Sequence, residues 1–97
     1  MVTFYNGTVS GTVSNSYTVP SGSYILVHTA KVNFSFGGSA YIRAQRPSEP
    51  ATFNLHDIDL GDGYRLPSGT IITMQATGFG GFGGNYNLVG QLFSNTP

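Results

Sequence analysis

The chain has 97 residues and eight charged side chains, four of each sign, which cancel to a net charge of zero. That length supports one domain with one core, and the neutral balance leaves no electrostatic footprint for nucleic acid or anionic lipid. With no cysteine there is no disulfide framework or thiolate metal site, and no stretch is long and apolar enough to span a bilayer.

The start, Met1-Val2-Thr3-Phe4-Tyr5-Asn6-Gly7, has neither a basic flank nor a long apolar core, so no signal peptide is expected. From Asn6 to Asn15 the only apolar positions with bulk are Val9 and Val13, set among Gly, Ser and Thr. Residues 1–15 read as an N-terminal arm that finds its ladder against the domain or against another subunit.

Val19-Pro20-Ser21-Gly22 is a turn, since proline presets φ and glycine takes the left-handed position. The run from Tyr24 to Phe36 that follows is too long for one flat strand, which usually spans five or six residues. Its alternation also changes phase near His28, so a β-bulge is expected between His28 and Ala30. After Phe36-Gly37-Gly38, Ala40, Ile42 and Ala44 alternate with Tyr41, Arg43 and Gln45 as a strand with one core face and one polar face. Arg46-Pro47-Ser48-Glu49-Pro50 is a loop between strands or sheets, because its two prolines each remove a ladder donor. Short strands are expected over Thr52 to Leu55 and Tyr64 to Leu66, with a tight turn at Leu60-Gly61-Asp62-Gly63-Tyr64.

Leu66-Pro67-Ser68-Gly69 then restarts the same sentence. Ile72, Met74 and Ala76 alternate as one strand, Phe82-Gly83-Gly84 reverses the chain, and Tyr86, Leu88, Gly90 and Leu92 alternate as the last. The Pro-Ser-Gly marks lie 47 residues apart and the Phe-Gly-Gly marks 46. No window of helical length escapes Gly or Pro while carrying an apolar stripe. The expected fold is therefore all-β: a single antiparallel β-sandwich over residues 1–97, jelly-roll-like, with an internal hairpin duplication. Its core should include Leu26, Val32, Phe34, Ile42, Ile72, Met74, Leu88 and Leu92.

Motifs with chemistry are few. Gly78-Phe79-Gly80-Gly81-Phe82-Gly83 has the letters of a dinucleotide-binding loop, but an alternating strand follows where that motif needs a helix. It reads instead as a hairpin loop presenting Phe79 and Phe82 to a partner. Asp57, Asp59 and Asp62 cluster, yet Gly61 and Ser68 occupy positions where a calcium loop needs acids. His28 and His56 have no partner at a zinc-ligand spacing. Neither a nucleophile elbow nor a thiol is present. No enzyme activity, cofactor or metal is expected. Six tyrosines offer rings with a hydrogen-bonding tip, and Tyr41, on the polar parity with Arg43 and Gln45, marks the face most suited to contact.

Val19-Pro20-Ser21-Gly22-Ser23-Tyr24, Leu66-Pro67-Ser68-Gly69-Thr70-Ile71 and Gly83-Gly84-Asn85-Tyr86-Asn87-Leu88-Val89-Gly90 resemble segments of small bacteriophage virion proteins. In such proteins similar turns lead into strands and a similar strand closes the domain; the matching pieces cover about a quarter of this chain. The resemblance implies a compact β-sandwich, commonly trimeric, located in the virion as a capsid decoration (cement) protein or a tail-fibre or spike component. The expected partners are further copies of the chain and a major capsid or tail protein, with no nucleic acid and no membrane. The alternative is a lectin-like module that binds host glycans. Contact is expected through Val9, Val13, Tyr41, Phe79 and Phe82.

Overall fold

The alternating segments become eight strands in the computed structural model, which describes residues 2–5, 11–34, 38–58, 60–61, 63–78 and 84–94. They are β1 (Val2–Tyr5), β2 (Gly11–Thr18), β3 (Ser23–Phe34), β4 (Ser39–Gln45), β5 (Phe53–Asn54), β6 (Tyr64–Leu66), β7 (Ile71–Gly78) and β8 (Gly84–Ser94). A 3-10 turn, Leu55–Asp57, follows β5, so the short strand expected over Thr52 to Leu55 is reduced to two residues. Two four-stranded antiparallel sheets result, in the orders β1-β8-β3-β6 and β2-β7-β4-β5, consistent with a β-sandwich. The pairing is nested: β1 with β8, β2 with β7, β3 with β6 and β4 with β5.

The hairpins expected inside each sequence copy are a correction. β3 lies in one sheet and β4 in the other, and β7 and β8 are likewise divided. The partners are β3 with β8 and β4 with β7.

β3 follows its expected bulge. Its register against β8 shifts between Val27 and Thr29, leaving His28 as the extra residue. Before the shift the odd residues Ile25 and Val27 are buried; after it the even residue Ala30 is buried and Val32 packs against the core. One extra residue flips the alternation. Leu26, expected in the core, falls on the wrong side of this shift and is half-buried on the outer face. Ile42, Ile72, Met74 and Leu88 are fully buried, while Leu92 packs against the core from its rim. The side chain of Phe34 lies outside the described residues.

The two Pro-Ser-Gly turns have the same form. Ser23 N–H bonds Pro20 O and Thr70 N–H bonds Pro67 O, both at 3.2 Å, with Gly22 at φ 80° and Gly69 at φ 84°. They also meet: Val19 N–H donates to Thr70 O and Gly69 N–H to Val19 O, each at 2.9 Å, and the Ser68 hydroxyl donates to Ser23 O. Thr70 is fully buried between them, its hydroxyl satisfied by Pro67 O at 2.7 Å. The tight turn expected at Leu60 to Tyr64 forms through Gly63 N–H to Leu60 O at 2.9 Å.

Aromatic pairs close both open sides of the sandwich. Phe4 of β1 meets Tyr17 of β2 at 5.6 Å, and Phe53 of β5 meets Tyr64 of β6 at 6.1 Å, both tilted. Each pair joins edge strands of opposite sheets and contributes about 0.5–1.5 kcal/mol beyond its area. On the second side Arg46, from the proline-flanked loop, lies 4.8 Å over Phe53 and donates to the Tyr64 hydroxyl.

Candidate contact surface

Cross-strand register decides which side chains share the outer face of the β2-β7-β4-β5 sheet. Thr12, Ser14, Ser16 and Thr18 stand beside Thr77, Gln75, Thr73 and Ile71, which stand beside Ser39, Tyr41, Arg43 and Gln45. The face is hydroxyl- and amide-rich, with one cation. Tyr41 is half-buried there. Its hydroxyl donates to Gln75 Oε1 at 2.5 Å, and the Arg43 guanidinium lies 4.0 Å from its ring centroid. One face of the ring and the polar tip are thus already engaged. A shallow hollow of about 350 Å³ lies on the β2 side of this face, lined by Ser14, Asn15, Ser16 and Thr73.

The opposite sheet carries an apolar cluster at one end of its outer face. Tyr24 and Phe93 stack at 5.3 Å, and the Arg65 guanidinium lies 4.0 Å from the Tyr24 centroid. Leu26 and Val89 are half-buried on the same face. Sequence reading missed this cluster because Tyr24 and Phe93 are 69 positions apart, and only the β3–β8 register brings them together.

Edges differ more than faces. The three edge strands other than β2 have four, three and two residues. Past the end of β5, His56 takes over the edge of β4: its Nδ1 lies 3.2 Å from Ile42 N and 3.3 Å from Ile42 O. The imidazole therefore stands where a longer β5 would have placed a backbone. Asp57 is 3.7 Å from His56 Nε2 and is mostly exposed. Among the described residues no group of three or more His, Asp or Glu side chains converges on a point that could hold a metal. His28 is exposed at its bulge.

β2 is the long edge. All eight of its residues pair with β7, so the ladder for residues 11–15 is found within the domain. Its other side has no described strand beside it. Val13 is 37% exposed on the inner face of this edge. Tyr17 is half-buried against Phe4, and burial pushes its phenol pKa up from the usual value. Of the remaining expected contact residues, Val9, Phe79 and Phe82 lie outside the described residues, as do Asp59 and Asp62.

Comparison with known proteins returns no matching family model, no matching curated relative and no matching solved structure.

Proposed function

We propose that this chain is a structural virion protein, a capsid-decoration or small fibre or spike component, acting through protein–protein contacts. The observation that carries this reading is the β2 edge: eight residues without a charge or a proline, with no described strand along one side. Monomeric β proteins usually blunt such an edge with charge, proline or a covering segment. Here the other described edges are short, and this one is left suited to pairing. The low charge of the whole surface agrees, since contacts of this kind rest on backbone bonding and apolar area.

A jelly roll is the finer description we favour for the fold. Its support is the nested pairing of first strand with last, second with seventh, third with sixth and fourth with fifth across two four-stranded sheets. Capsid and lectin domains both use that arrangement. A duplication of the β3–β4 and β7–β8 units has support as well, because exchanging the two units maps the β3–β8 pair onto the β7–β4 pair. The working form is a homo-oligomer, a trimer being what the family resemblance implies.

Antibodies raised against the chain should label virus particles in electron micrographs of the culture it came from. Label found only on soluble protein or on cells would overturn the virion reading. The glycan-binding alternative has weaker support, since Arg43 already covers one face of the Tyr41 ring. Saturable glycan-array binding that disappears in Tyr41→Ala would reverse that order.

A further inference from the structure

The β2 strand reads nearly the same in both directions. Around Asn15 the sequence is Thr12-Val13-Ser14-Asn15-Ser16-Tyr17-Thr18: serines flank the centre, bulky apolar-faced residues lie next, and threonines end it. An antiparallel strand laid against its own copy about a two-fold axis through Asn15 meets its own sequence reversed. Thr12 then faces the partner's Thr18, Val13 the partner's Tyr17, Ser14 the partner's Ser16, and Asn15 the partner's Asn15. Every pair also lies on one face of the sheet, because each joins residues of the same parity.

The backbone is disposed for this. Val19, of odd number, exchanges bonds with the segment leading into β7. Successive residues of an antiparallel strand point their backbone groups to alternate sides. The even residues Thr12, Ser14, Ser16 and Thr18 therefore present N–H and C=O groups away from β7. The Ser16 N–H meets the Asn15 side chain, Oδ1 at 3.0 Å, which serves as a temporary cap on the open edge. In the paired state Ser14 and the partner's Ser16 would exchange two backbone bonds, as would Thr12 and the partner's Thr18. The two Asn15 carboxamides, released from Ser16, would face each other across a non-hydrogen-bonded pair. Val13, exposed in the single chain, would gain the aromatic neighbour that its opposite position supplies. No charge lies on the strand, so a copy meets a copy without repulsion.

We infer that the β2 edge is a self-association site at which two copies of this chain pair antiparallel about Asn15, joining their two sheets into one eight-stranded sheet. The inference rests on the reading of the chain as an assembly subunit. It deepens that reading by naming the partner and the register. The contact is isologous and closes at two copies; a ring of three needs a different, head-to-tail contact.

Cysteine cross-linking tests the register directly, since the chain has no thiol of its own. A non-hydrogen-bonded pair has Cα atoms about 4.5 Å apart, within the range a disulfide spans. Asn15→Cys should give a covalent dimer under mild oxidation, reversed by reductant, while Thr12→Cys should stay monomeric on a non-reducing gel. Light scattering of the wild type should show dimers growing with concentration. Asn15→Asp, which sets two carboxylates face to face, should weaken association about tenfold or more. Ser14→Pro removes only an outward N–H and should do likewise, with circular dichroism confirming that both variants remain folded. If Asn15→Cys fails to cross-link, or cross-links no better than Thr12→Cys, the edge pairing is wrong. A trimer without the Asn15→Cys link would overturn the pairing and leave the assembly-subunit reading standing. Particle labelling tests the virion reading separately.

Discussion

At the residue scale, His56 serves the backbone. It occupies the edge of β4 at Ile42, where β5 has ended and both Ile42 groups would otherwise lack a strand partner. His56→Ala should lower stability by about 1–3 kcal/mol, the cost of leaving such a group unsatisfied, read as a lower urea midpoint with an unchanged β signal. Gly90 is held by contact. A Cβ there would lie 2.8 Å from Ile25 Cδ1 and 3.0 Å from Leu26 O. Gly90→Ala should therefore cost about 1–3 kcal/mol through overpacking. Adding Ile25→Val, which removes Cδ1 and keeps Cγ1, should recover part of the loss; a double variant no more stable than Gly90→Ala would point to Ile25 Cγ1, 2.9 Å away, or the Leu26 carbonyl as the obstacle. Tyr17 adds a pH dependence. Its phenol pKa is raised by burial, so the folded chain keeps a proton that the unfolded chain loses above about pH 10. Its contribution to stability is complete below that pH and falls as pH rises through the folded value. Denaturant midpoints of the wild type should drop faster over that alkaline range than those of Tyr17→Phe.

At the element scale the bulge in β3 explains how one strand of twelve residues serves the sandwich. Val27 pairs with Gly90 and Thr29 with Val89, so His28 has no position of its own in the ladder. Deleting His28 would leave Val27 facing in, Thr29 out and Ala30 in, with every β8 partner unchanged. That deletion should be tolerated far better than deletion of Val32, which would turn Asn33 towards the core or, if the bulge straightened to absorb the loss, Lys31. Equal losses in thermal midpoint for the two deletions would contradict the assigned register. The paired turns hold the ends of β2, β3 and β7 together by bonds among Val19, Ser23, Ser68, Gly69 and Thr70. The same turn chemistry written twice in the sequence thus serves a single junction in space.

At the scale of the whole molecule, charge poverty sets how copies and partners meet. With eight charged residues and none on β2, association through this edge should change by no more than about twofold between low and high salt, because little of it is Coulombic. Sedimentation across a salt series checks this; a steep loss with salt would move the contact to a charged region such as that around Arg46 and Glu49.

Residues 1–15 read as an arm and β1 was not foreseen, whereas the strands from β3 to β8, the two turns, the bulge at His28 and most of the buried positions were legible in the sequence. All of these depend on period-two alternation and on the local chemistry of Pro and Gly, which act over a few residues. Partnership was decided only in the tertiary structure. The repeat looked like two hairpins, yet β3 pairs with β8 and β4 with β7, and alternation within a strand carries no information about which strand lies beside it. Leu26 was misplaced for a related reason: a bulge inverts the face of every residue on one side of it, and only the β8 register fixes which side. Tyr41 was legible as an outward residue, but its cover by Arg43 depends on how the two side chains settle on the folded sheet. The edge position of β2 among the described strands was likewise out of reach of local pattern, since an edge is defined by what lies beside a strand and not by its own residues.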